Sequence, residues 1–284
     1  YYEEAMEAVR RLFSLRPEVV AHDLHPEYLT TQLAGEFGLP RVAVQHHHAH
    51  VASCMADNGL EGKVIGVSWD GTGYGPDGTV WGGEFLICDE ADYERAAHLH
   101  AYPMPGGEAC VKEIHRMAFG VLCGIHGDVD KAVETYTRLF PGAAGMAGAL
   151  ASQARSGFNT PLTTSAGRMF DAAAALVGLR HLVFYEGQAA CELEAAAVSG
   201  ARPYPWELDT ASFPWKVDTR PLFAALLRDV ARGVDPREMA GRFHAALAEA
   251  VVAVCEGLSR ETGIGRVALS GGVFQNALLT AVVA

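Results

Sequence analysis

Apolar residues first recur at helical spacing over residues 3–14, where Met6, Val9, Leu12 and Phe13 share a face before Arg16-Pro17 ends the element. A short apolar strand, Val19 to Leu24, runs into His25-Pro26, and a second helix over roughly 27–37 stops at Gly38-Leu39-Pro40. The strand at 41–45 leads into a histidine-rich helix closed by Asn58-Gly59. This αβαβα opening with short loops has the rhythm of parallel strands joined by crossover helices. The middle of the chain reads as strands, Lys63–Trp69, Thr79–Cys88 and Tyr93–Tyr102, the first two linked by the glycine-rich DGTGYGPDG. Helices dominate afterwards, at 108–124, 129–140, 146–155, 167–178 and 185–198. The Pro- and Trp-containing run from Ala201 to Pro221 reads as an irregular surface excursion. Helices at 221–231 and 236–262 then precede the strand Arg266–Ser270, Gly271-Gly272 and a last helix from Val273. The pattern predicts an α/β protein.

Composition narrows this picture only modestly. A chain of 284 residues holds one large α/β domain or two lobes, and half of its residues are apolar. The net charge of -12 and the lack of a basic stripe argue against a nucleic-acid groove. No apolar run approaches the roughly 18–20 residues of a membrane span; the longest, Ala245 to Leu258, carries Glu249 and Glu256 and reads as a buried helix. Six scattered cysteines form no CxxC pair, which excludes a zinc ribbon and points to a reduced, cytoplasmic setting. The first residues lack both a leader pattern and an initiator Met, and the chain stops inside an apolar helix, so a piece truncated at both ends is expected.

The candidate chemistry begins at VQHHHAHVAS, residues 44–53. On a helix, His46 and His50 share a face with Cβ atoms roughly 5–6 Å apart, close enough for both to hold one cation. A satisfied core histidine is the competing reading, whereas an expression tag would lie at a terminus without a strand before it and a helix after it. Asp70, at the end of the strand Val64–Trp69, can complete a two-imidazole, one-carboxylate set suited to ferrous iron or zinc, or can serve as a turn acceptor. Gly71-Thr72-Gly73 predicts a tight loop whose amides cradle phosphate, although Asp77-Gly78 alone would explain a hairpin turn. In ALSGGVFQN a strand meets Gly271-Gly272 and a helix start, which suits either a nucleotide or plain packing. Arg168 and Asp171 lie one helical turn apart; they form a surface ion pair, or Asp171 holds a ribose hydroxyl. Glu108, after Gly106-Gly107, is placed to cap a helix. No Ser-His-Asp arrangement is readable.

Together the stretches AHDLHPEYLTT, VQHHHAHVAS, DGTGYGPDGTVWGGEF, PMPGGE with RMA, TSAGRMFDAAAALVGL, YEGQAACELE and LSGGVFQN resemble the carbamoyl-transfer domain of the HypF family, carbamoyltransferases of nickel–iron hydrogenase maturation. They run in the family's order across almost the whole chain. More distantly similar are the tRNA threonylcarbamoyl transferases and the antibiotic O-carbamoyltransferases. The resemblance implies an actin/hexokinase-like (ASKHA) two-lobed α/β fold, divided here as 1–106 and 107–284. It implies a nucleotide and a metal in the cleft, with ATP and carbamoyl phosphate giving carbamoyl-adenylate in a separate YrdC-like domain. The carbamoyl group would pass to the carboxyl-terminal cysteine thiolate of HypE, later becoming a cyanide ligand. By motif, His46, His50 and Asp70 match metal ligands, and His47 and His48 fall where they could orient ligands or the carbamoyl group. Gly71, Thr72, Gly73, Gly167, Arg168, Asp171, Gly271, Gly272 and Asn276 match nucleotide-binding stretches.

Several departures accompany the match. The family's Asn-Asp-Gly-Gly stretch and its first phosphate hairpin lie outside this chain, and Glu113-Ile114-His115-Arg116 replaces the usual Glu-Pro-Trp-Arg. The alternatives are an O-carbamoyltransferase for a small hydroxylated molecule and a non-catalytic nucleotide- and metal-binding fragment.

Overall fold

The structure, a computed structural model, describes residues 1–284. It contains two compact units, Tyr1–His46 and His47–Ala284. In the first, helix α1 (Tyr2–Leu12) buries none of its residues. Strands β1 (Val20–Asp23) and β2 (Arg41–Val44) pair in parallel, Val20 opposite Arg41 and Asp23 opposite Val44. Parallel pairing requires a crossover, supplied by α2 (Leu29–Ala34) and the short 3-10 turn Gly35–Phe37. The sequence pattern is met here. Helix α3 (His46–Asp57) begins at the last residue of this unit and belongs otherwise to the second.

The second unit is built on a mixed sheet. Its long strands are β3 (Val64–Tyr74), β4 (Val80–Cys88) and β5 (Tyr93–Leu99), successive antiparallel neighbours. Period-two alternation sends their side chains to two apolar faces. Val64, Trp81, Leu86 and Cys88 pack with Val51 and Met55 of α3. Ile65, Val67, Trp69, Phe85 and Ile87 face the larger core. Gly66 lets α3 sit close to β3, because a Cβ there would lie 2.6 Å from the Val51 side chain. The short pieces β6 (Tyr102–Pro103) and β7 (Leu162–Thr163) pair with each other, and β7 also pairs with β4. Most of the helices follow β6: α4 (Ala109–Lys112), α5 (His115–His126), α6 (Val129–Leu139), α7 (Ala147–Ser156), α8 (Ala166–Val177) and α9 (Gln188–Ala196). Nearly all of α8 is buried, which its alanine-rich AGRMFDAAAALV permits.

Four expectations need correction. The run 201–221 is not irregular throughout: between irregular, largely exposed stretches it holds β8 (Glu207–Asp209) and β9 (Trp215–Asp218), and β9 extends the sheet parallel to β5 with Trp215 and Val217 buried. Strands of three and four residues leave too little alternation to detect, and the prolines suggested irregularity. The helix read as 108–124 breaks between α4 and α5, where Val183 N–H donates to the Lys112 carbonyl and His115 N–H to that of His181. Glu108 makes no side-chain cap at α4. Finally, α10 (Arg220–Arg232), α11 (Pro236–Thr262) and β10 (Val267–Ser270) follow as expected, but Gly271-Gly272 leads into a 3-10 turn, and α12 (Ala277–Val283) starts after Asn276. Strand β10 pairs in parallel with β3. The buried helix expected at 245–258 lies within α11. No helix is long and apolar enough to cross a membrane. The six cysteines are all unpaired, and burial pushes the thiols of Cys88, Cys110 and Cys255 up to about 12.

Candidate metal and nucleotide site

The tight loop expected at Gly71–Gly73 is a bulge inside β3. Trp69 opposes Gly83 and Gly73 opposes Trp81, so residues 70–72 face the single residue Gly82. Extra residues in one strand leave the ladder and re-aim their side chains. The hairpin turn itself comes later, where Gly75 N–H donates to Thr79 O and Gly78 N–H to Gly75 O. Asp70 is the residue freed by the bulge. Its Oδ1 accepts from Gly71 N–H at 2.8 Å and from Gly272 N–H at 3.3 Å, while Oδ2 lies 3.0 Å from His50 Nε2.

His46 and His50 stand one turn apart on α3. One nitrogen from each, with a carboxylate oxygen of Asp70, forms a group whose atoms all lie within 4.8 Å of one another. Ion–donor distances of roughly 2.0–2.2 Å require donors only slightly closer than that, so small rotations of half-buried side chains complete a three-point site. Two imidazoles and a carboxylate suit ferrous iron or zinc. Asp23 adds a support that no metal spacing in the sequence marks. Its Oδ2 lies 2.8 Å from His46 Nδ1, and Oδ1 accepts from His25 N–H at 2.7 Å. A proton on Nδ1 donates to that carboxylate and leaves the Nε2 lone pair for a cation. The Ser270 hydroxyl donates to the His50 carbonyl at 2.9 Å, tying α3 to the end of β10.

The other two histidines point elsewhere. His47 is fully buried, with its ring centroid 6.1 Å from that of Trp81. His48 is buried with Nε2 2.8 Å from the Asp89 carbonyl and its ring 5.2 Å from Tyr93. Both lock α3 to β4 and the following turn.

The N-terminus of α8 meets the bulge directly. A Cβ on Gly167 would lie 2.8 Å from Gly71 Cα, so only glycine permits this approach. Ser165 caps α8 by accepting from Arg168 N–H, and its hydroxyl lies 2.7 and 2.6 Å from the Asp70 and Gly71 carbonyls. Arg168 and Asp171 are a buried pair 3.1 Å apart, correcting the surface reading. Arg168 Nε and Nη1 are buried without a hydrogen-bond partner. Burial raises the Asp171 carboxyl to about 6, Arg168 opposing and the nearby Glu186 adding to the rise. Glu186, exposed within YEGQAA, belongs to this neighbourhood: its Oε1 comes within 3.4 Å of where a Gly71 Cβ would be. Asn276 is committed to the fold, accepting from Leu279 N–H at 2.8 Å and lying 2.9 Å from His244 Nε2. Thus Asp70, Gly71, Gly167 and Gly272 come together with the histidine pair, while Thr72 closes the bulge, Gly73 resumes the β3–β4 ladder and Asn276 caps α12.

Comparison with known proteins gives this geometry its class. Residues 66–284 match the family "Carbamoyltransferase, Kae1-like Domain, second subdomain", and residues 1–57 match "HypF Kae1-like domain". The α/β fold with its mixed sheet is therefore Kae1-like, of the actin/hexokinase-like class. The chain belongs to the HypF carbamoyltransferase family. It is 35% identical to carbamoyltransferase HypF of Synechocystis sp. over 99% of its length, and 40% identical to that of Rhodobacter capsulatus over 94%. A crystal structure of full-length HypF in the phosphate- and nucleotide-bound form superposes with a TM-score of 0.93 at 39% identity, covering 100% of this chain and 37% of that one. T. kodakarensis HypF gives 0.86 at 33% identity, over 99% of this chain and 38% of that one. The chain spans 38% and 35% of the two curated relatives.

Proposed function

We propose that this chain transfers a carbamoyl group from carbamoyl-adenylate to the thiolate of a HypE-like acceptor's carboxyl-terminal cysteine, in making the cyanide ligands of nickel–iron hydrogenase. The observation that carries the reading is the meeting of three metal-capable donors, on α3 and the β3 bulge, with the first turn of α8. In relatives of this family the similarity runs through both parts, and one of them was solved with phosphate and nucleotide. His46, His50 and Asp70 would hold ferrous iron or zinc. Bound there, the ion supplies positive charge that stabilises oxygens gaining charge as AMP leaves.

The remaining steps belong to the protein and its substrates. The acceptor sulfur, having lost its proton, attacks the carbamoyl carbon; a carbon–sulfur bond forms, the carbon–oxygen bond to phosphate breaks, and AMP departs with the electron pair. Gly71, Thr72, Gly73, Gly167, Gly271 and Gly272 line the nucleotide, with Arg168 offsetting phosphate charge, Asp171 accepting from a ribose hydroxyl, and Asn276 positioning the 3-10 turn. His47 and His48 orient α3, and through it the ligands. The lobe division at residue 106 and a cytoplasmic setting, which suits six unpaired cysteines, are part of the same reading. No internal thiol needs to act, consistent with the raised thiols of Cys88, Cys110 and Cys255.

The test supplies metal-loaded protein with radiolabelled carbamoyl-adenylate and offers an acceptor ending in cysteine, the same acceptor ending in serine, or small hydroxylated molecules. Label should pass only to the cysteine acceptor. Transfer to the hydroxylated molecules instead would make this an O-carbamoyltransferase.

Asp171 makes the nucleotide reading pH-sensitive. The ionised carboxylate is the better acceptor, so AMP affinity should fall about tenfold from pH 7 to pH 5 as the group protonates around 6. The stability sign is opposite. A carboxyl held above its unfolded value of 3.8 keeps its proton longer in the folded state, so this group's contribution is fully present below about pH 4 and lost as pH rises through 6. Calorimetric titration with AMP at several pH values, with Asp171→Asn as control, checks both the slope and its origin.

A further inference from the structure

Beneath the bulge lies a fully buried carboxylate that the transfer chemistry does not use. Glu84 on β4 is 0% exposed. Its Oε2 accepts from Arg95 Nε at 2.6 Å, and Oε1 accepts from Gly82 N–H at 3.2 Å, Gly83 N–H at 3.3 Å and the Thr164 hydroxyl. Arg95 reaches outward: Nη1 donates to Asp77 Oδ2 at 2.8 Å, and the guanidinium lies 4.2 Å over the Trp81 ring. Asp77, at the hairpin tip, accepts from Thr79 N–H at 3.0 Å, the Thr79 hydroxyl at 2.7 Å and Trp81 Nε1 at 3.0 Å. On the inner side, Thr164 immediately precedes Ser165, the cap of α8 whose hydroxyl reaches Asp70 and Gly71. One hydrogen-bonded line therefore runs from the hairpin tip to the turn that carries Gly167, Arg168 and Asp171.

Burial pushes the Glu84 carboxyl up, but Arg95 and the hydrogen bonds outweigh it and hold the group below its ordinary value. It is thus a charge kept inside the protein. A buried ion pair is a weak source of stability compared with apolar packing. What its directional bonds supply is a fixed geometry.

We propose that Glu84 is a positioning residue: by fixing Thr164 and Arg95 it sets how the first turn of α8 approaches Gly71, and so where the groups proposed to hold the nucleotide stand. The nucleotide part of this inference rests on the function proposed above; the positioning part does not.

Two variants separate these claims. Thr164→Val keeps the side-chain shape and removes the hydroxyl donor, while Glu84→Gln removes the charge. Hydrogen exchange of amides 165–171, read by mass spectrometry against those of α11, should quicken about tenfold in both variants with α11 unchanged. AMP dissociation constants should rise about tenfold, while zinc constants stay within about twofold, because Asp70 keeps its own amide donors. A folded Thr164→Val protein with unchanged exchange at 165–171 overturns the proposal, and it decides the matter even if Glu84→Gln does not fold. Local exchange that quickens in a protein whose wild type ignores AMP upholds the positioning and removes the nucleotide reading.

Discussion

The double replacement His46→Ala with His50→Ala should weaken zinc or ferrous-ion binding by more than about a thousandfold. Loss of one outer carboxylate partner of a metal-bound histidine already costs roughly 10–100-fold, and this change removes two of three ligand side chains, leaving Asp70 alone. Fold stability should change little, since the two imidazoles are 27% and 34% exposed. Asp23→Asn should fall between wild type and the double variant, because His46 would lose the carboxylate 2.8 Å from Nδ1 while keeping Nε2. His48→Ala is the informative contrast. It deletes a buried ring bonded to the Asp89 carbonyl and should lower melting temperature with at most a small effect on the ion. Competition against a chromophoric chelator measures the first effect and thermal denaturation the second. Unchanged ion affinity in the double variant would mean that any cation binds elsewhere.

What could be read from sequence followed from how local the determining physics is. Helices such as α7, α8, α10 and α11 announce themselves through apolar periodicity and end at glycines with positive φ, and their bounds agree closely with the pattern. The histidine pair was legible for the same reason: its geometry is the pitch of one helix. The bulge was not. Asp70-Gly71-Thr72 reads as a loop because glycine density looks like turn chemistry, yet pairing resumes at Gly73 opposite Trp81, a long-range fact of register. Strand β9 was invisible because four residues hold no period; Trp215 is placed by β5 and by α11, where Gly257 leaves room for its ring. Asp23 and Glu186 lie inside matching stretches, but no local pattern gives either a role, because what recruits them is the tertiary approach of other elements.

Gly271→Ala should destabilise the protein by about 3 kcal/mol or more. Gly271 has φ +98, a region that costs any residue with a Cβ. The steric problem is larger than the torsional one. An added Cβ would lie 2.3 Å from the Trp69 carbonyl oxygen and 2.8 Å from its carbon, both backbone atoms of a strand buried on two faces. Trp69 cannot retreat, for its ring packs edge-on against Phe85 at 5.9 Å and stacks with Phe274 at the same distance. Relief must come from β10 and the 3-10 turn moving away from β3, which withdraws the Gly272 amide from Asp70. The same substitution should therefore weaken ion binding as well as stability, coupling two readouts that a simple packing defect would leave separate. Gly265→Ala is the steric control, since it lies at the other end of β10, in the connection from α11, with no atom within 4 Å of its would-be Cβ. Urea denaturation and chelator competition on both variants test this. If Gly271→Ala unfolds at the wild-type midpoint, the close approach of Gly271 to Trp69 is not what fixes this corner of the site.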